Sequence, residues 1–174
     1  LSGPSLTDPV MFIVNIDQSF EAYLDGSLID RFGPMAGESF PGLPKVFLPL
    51  GPGYQGKMLV LRIYSPYGSI GPFMEPRIGE HHSVYSWMIR TGLPPFATGA
   101  LQVLLGIFAL GVFILRREER TALYYAGFAI ASGIHVITRS FIRDLLWDIG
   151  PLWTYLEFGG LAISSASWCL LVGQ

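Results

Sequence analysis

Cysteine is almost absent: Cys169 stands alone in 174 residues, inside an apolar run. No intrachain disulfide can form, so cysteine usage says nothing about the redox compartment. A lone cysteine in such surroundings is expected to pack as a small hydrophobe. Charge is scarce as well. Charged side chains are 14% of the chain, against about 25% in an average soluble domain. A net charge of −2 argues against a surface for polyanions, so nucleic acid is not an expected partner. Catalytic signatures are missing too: no GxSxG elbow, HExxH helix or Walker loop occurs. His81-His82 beside Glu80 lacks the three or four convergent ligands a metal site needs, and reads as a solvated loop pair. The stretch Gly51-Pro-Gly-Tyr-Gln-Gly56 matches GxGxxG letter for letter. A strand pattern follows it, however, where a dinucleotide site needs a helix N-terminus, so it reads as a turn. No catalytic residue, metal or cofactor is expected, and this stretch is not expected to be an enzyme.

The charge that exists is unevenly placed. Of the 11 basic and 13 acidic side chains, 14 lie in residues 1–90, and Leu93–Leu115 holds none. Two physical regimes therefore share the chain, dividing it into 1–90 and 91–174. The first is β-rich. Val10–Ile16 is apolar and β-branched between Pro9 and Asp17, which reads as a buried strand. In Phe20–Phe32, Asp25-Gly26 favours a type I′ hairpin, whose two central residues need positive φ. Alternation is clean before that turn and less so after it, at Leu28, Asp30 and Phe32. A Gly/Pro-rich loop leads to a short strand at Lys45–Leu48, and Lys57–Tyr64 reads as a strand buried near a sandwich centre. The stretch from Ser65 to Glu80 reads as loop. Short strands with frequent turns predict an incomplete β-sandwich.

The second regime is helical and apolar. Leu93–Leu115 would extend about 34 Å as a helix, enough to cross a hydrocarbon layer of about 30 Å, with Pro94 and Pro95 in the first turn, where a missing N–H is tolerated. Thr121–Thr138 and Leu152–Gln174 supply two further spans. The second carries Gly127, Ala129, Ala131, Ser132 and Gly133, small residues that let membrane helices pack closely. Trp147, Trp153 and Tyr155 suit an aromatic belt at the membrane surface. Arginines on the two sides of the spans are nearly balanced in number, but Arg116, Arg117 and Arg120 crowd one short loop, which favours that loop as cytoplasmic. Arg139 and Arg143, with Asp144 and Asp148, would form a short amphipathic extension lying on the membrane.

Ionisable groups at membrane depth are costly and usually face the bundle interior. His135 in the second span and Glu157 near the start of the third are the two candidates, for a coupling role between helices. Gly127, Ala131 and His135 recur at i,i+4 and so share one stripe, expected to be a packing face. The chain starts at Leu1 without a visible signal peptide and ends at Gln174 inside an apolar run, so it is expected to be a piece of a longer protein.

Three stretches together resemble the bacterial seven-transmembrane receptors with diverse intracellular signalling modules: Tyr23–Gly33; Leu43–Pro49 followed by Gly56–Ser65 and Ile70-Gly-Pro; and Arg116–Ser140 with its Leu-Tyr-Tyr-Ala-Gly-Phe. The resemblance implies a jelly-roll-like β domain outside the cytoplasmic membrane, followed by the first three helices of a bundle. It also implies further helices and a cytoplasmic cyclase, kinase or phosphatase module beyond this sequence. Expected partners are membrane lipid and an extracytoplasmic ligand, carbohydrate or small molecule; the ligand-binding residues are unknown, and a homodimer is compatible. Two other readings stay open: a transporter or membrane-enzyme subunit with a β-rich accessory domain, and a membrane anchor for a glycan- or partner-binding module.

Overall fold

The computed structural model describes residues 1, 5–14, 16, 19–37, 40–43, 45–66, 71, 74–146 and 151–173, with the backbone alone at 144. It divides into two compact units, Leu1–Trp87 and Met88–Gln174.

Among its described residues the first unit holds six strands: β1 Pro9–Val14, β2 Ser19–Leu24, β3 Ser27–Phe32, β4 Lys45–Pro49, β5 Leu59–Tyr64 and β6 Arg77–Glu80. They form two antiparallel three-stranded sheets, in the orders β4-β1-β6 and β3-β2-β5. Their inner faces share one core. Met11, Ile13, Val46 and Leu48 come from one sheet and Phe20 and Ala22 from the other, closed by Ile16, Leu50 and Tyr54. β1 is buried at every position. Its second face carries Phe12, which meets Phe47 at 4.9 Å and Trp87 at 6.1 Å between ring centroids.

The Asp25-Gly26 turn has φ of 47° and 81° at its two residues, the positive values a type I′ hairpin requires. The imperfect alternation after it has a local cause. Ala22 pairs with Asp30 but Tyr23 with Leu28, so Ile29 is an extra residue in a bulge, and its side chain packs against the core. Two expectations need correction. The strand read over 57–64 starts at Leu59 and is an edge strand, half-buried, with Val60 42% exposed; an apolar run marks burial only when both faces are covered. Within the stretch read as loop to Glu80, Arg77–Glu80 pairs with β1. Four residues with a glycine among them carry little strand propensity, so pairing alone makes this a strand. Ile70-Gly-Pro lies partly outside the described residues.

The helices are α1 His81–Leu115, α2 Arg120–Arg139, the short α3 Arg143–Leu146 and α4 Pro151–Val172. α1, α2 and α4 are long and apolar enough to cross a membrane. Much of the apolar surface of α1 and α4 faces outward, including Leu104, Phe108, Phe158 and Ile163, as suits helices bathed in hydrocarbon and not in water. The first apolar span was expected to open at Leu93, with Pro94 and Pro95 in its first turn. Instead the helix begins at His81, and both prolines lie inside it. Each proline forgoes one backbone donor there. Thr98 Oγ1 donates at 3.0 Å to the carbonyls of both prolines.

In the second unit α1 and α4 both pack on α2 through glycine. A Cβ on Gly99 would stand 2.8 Å from the carbonyl oxygen of Gly133, and one on Gly160 2.8 Å from that of Ala131. Backbones this close leave no room for a side chain, the usual device where lipid provides no hydrophobic drive between helices. Cys169, expected to be packed, lies on the exposed side of α4.

Candidate functional site

α2 ends at Arg139 because Ser140 turns extended, with φ −68° and ψ 146°. A helix end leaves carbonyls without intrahelical donors, and polar side chains gather to meet them. Thr138 Oγ1 donates to the carbonyl of His135 at 2.7 Å. The carbonyl of Thr138 accepts from Arg143 Nη1, and a cation at a helix C-terminus also suits the helix dipole. Ser140 Oγ donates to the carbonyl of Gly92 in α1 at 2.7 Å and accepts from the backbone N–H of Ile142 at 3.1 Å.

The two expected residues meet at this end of the helices. Gly127, Ala131 and His135 do face α4: a Cβ on Gly127 would be 2.9 Å from Ser167 Oγ, and Gly160 sits against Ala131 and His135. His135 Nδ1 lies 2.9 Å from the backbone carbonyl oxygen of Glu157. The ring therefore carries its proton on Nδ1 there and donates it. The Glu157 carboxylate points to two arginines, with Oε1 3.7 Å from Arg139 Nε and Oε2 3.8 Å from Arg143 Nη1. Those distances are ionic but longer than hydrogen bonds. Arg139 is mostly exposed; Arg143 is only 5% exposed and lies 5.8 Å from the Trp153 ring centroid.

The surface amphipathic extension is therefore corrected. Ser140 breaks the helix between Arg139 and Arg143, and Arg143 turns inward. The Asp144 side chain, Trp147 and Asp148 lie outside the described residues. Sequence spacing could not reveal Arg143, because i,i+4 logic assumes an unbroken helix. The one available signal was Ser140, a residue prone to bond locally with backbone.

His81 and His82, read as loop residues, occupy the first turn of α1. His81 Nδ1 lies 3.7 Å from Asp8 Oδ2, and its ring meets Tyr85 edge-on at 5.3 Å. Beside them the Glu80 carboxylate accepts from the backbone N–H groups of Thr7 at 2.7 Å and Asp8 at 3.0 Å. These bonds hold its pKa below the usual glutamate range, since donors to a carboxylate favour its charged form. Among the described residues no three His, Cys, Asp or Glu side chains converge.

No family model, curated protein or solved structure matches the chain.

Proposed function

We propose that this chain is the sensing and membrane-spanning part of a bacterial signal-transduction receptor. In this reading the β unit is a jelly-roll-like domain outside the cytoplasmic membrane, where it takes a ligand. α1, α2 and α4 cross the membrane, and the output module lies beyond residue 174.

The observation that carries the reading is the ionic and hydrogen-bonded cluster joining the end of α2 to α3 and α4. Between helices otherwise apolar, a buried arginine, a partly buried glutamate and a histidine are costly to place and add little net stability. In this reading these groups specify the geometry of the helix ends, and a ligand shifts a two-state arrangement by its differential affinity for the states. One polar contact between membrane helices is worth about 0.6–2 kcal/mol, enough to move a balanced equilibrium roughly threefold to thirtyfold.

The test compares output of the whole gene product with two variants at equal membrane level: removal of residues 1–80, and His135→Leu. Both should change basal output. Output unaltered by either would reject signalling and leave an anchor.

A further inference from the structure

The sheet β3-β2-β5 turns one face to the core and leaves the other open. Its register places Arg31, Glu21 and Arg62 in one row across the open face, and Leu28, Tyr23 and Val60 in the next. The first row is organised around Glu21, only 13% exposed. Its carboxylate accepts from the Tyr23 hydroxyl at 2.8 Å and from Arg62 Nη1 at 3.2 Å. Donation to that carboxylate raises the Tyr23 pKa, so the hydroxyl stays a donor. Arg62 remains 66% exposed. Arg31 is exposed, and among the described residues its guanidinium has no ion-pair partner. The row thus holds two cations for one anion, and the anion is already matched.

The second row departs from a solvated sheet face. Outward positions of a half-buried antiparallel strand are ordinarily polar, yet Leu28 is 53% exposed, Val60 42%, and Met58, two residues before Val60, 66%. Successive rows on one face are two residues, about 7 Å, apart. The face therefore runs from a cationic end across an aromatic and aliphatic strip. Three strands about 4.8 Å apart, each of six residues at about 3.3 Å per residue, make a face of about 10 Å by 20 Å, roughly 200 Å², far short of the roughly 800 Å² per partner of a stable protein interface.

We infer that this open face binds a small anionic amphiphile, its carboxylate on Arg31 and Arg62 and its aromatic or aliphatic body over Tyr23, Leu28 and Val60. A guanidinium offers paired donors that fit a carboxylate. Glu21 does not repel the ligand strongly because Arg62 and Tyr23 already match it. The apolar row supplies contact area, and the charged row supplies orientation and selectivity.

The inference rests on the reading that the β unit takes a ligand, and its test is independent of signalling. The full chain in nanodiscs is titrated with phenylbutyrate and, separately, with its neutral amide, by saturation-transfer NMR. The carboxylate should bind saturably, the amide at least tenfold more weakly, and Arg31→Gln with Arg62→Gln should weaken the carboxylate at least tenfold. Val60→Glu, which adds a negative charge to the apolar row of the same exposed face, should also abolish binding. Equal binding of acid and amide, binding unchanged in the variants, or no saturable binding would overturn the assignment. Lost ligand binding beside retained dependence of output on residues 1–80 would remove this ligand class alone.

Discussion

The two adjacent glycines of α4 provide a sharp test of how the helices meet. Gly160 is buried, and a Cβ there would lie 2.8 Å from the carbonyl oxygen of Ala131, 3.2 Å from the backbone nitrogen of His135 and 3.3 Å from its Cβ. All three are backbone or backbone-attached atoms, so no flexible side chain can give way. Gly159 has nothing within 4 Å of the same added atom. Changing either to alanine gains the same helix propensity, about 1 kcal/mol, so that contribution cancels in the comparison. What remains is the overpacking at Gly160, about 1–3 kcal/mol. In thermal unfolding of the chain in one detergent, Gly159→Ala should hold or raise the midpoint. Gly160→Ala should fall below it by several °C, at about 2–4 °C per kcal/mol for a chain of this size. Separating α2 from α4 should also break the 2.9 Å contact of His135 Nδ1 with the Glu157 carbonyl, visible as a change in the imidazole nitrogen shifts. Equal midpoints with an unchanged imidazole signal would refute the close approach.

Three further outcomes are expected. Glu80 has a lowered pKa in the folded chain, so its contribution to stability is complete above the ordinary glutamate value and lost as pH falls through the folded one; Glu80→Gln should flatten the acid limb below about pH 4.5 in near-UV circular dichroism, and an unchanged limb would refute this. Glu157→Gln removes the carboxylate facing Arg139 and Arg143 and should destabilise the helical unit by up to about 1 kcal/mol, read as a lower midpoint in the same detergent; an unchanged midpoint would refute the ionic contact. Reporter fusions after Arg120 and after Asp148 should report opposite compartments, as an arginine-rich cytoplasmic loop requires; equal activity at both sites would refute that topology.

The sequence alone determined the elements whose cause is local. Asp25-Gly26 specified a hairpin because the required positive φ is a property of those two residues. Three apolar runs specified three long helices, since length and hydropathy are additive along the chain. The i,i+4 stripe of Gly127, Ala131 and His135 specified the face that α4 covers, through helical geometry alone. Tertiary structure decided what depends on a distant partner. Arg77–Glu80 became a strand only because β1 presents an edge to it, and Leu59–Tyr64 proved half-open because it lies at the edge of its sheet. α1 also starts at His81, ahead of the apolar span, in residues whose mixed polarity carries no membrane-run signal. Above all, the approach of Arg143 to Glu157 required α2 to end at Ser140 and the chain to fold back. An ion pair across a chain reversal follows from the path of the backbone, which residue spacing does not encode.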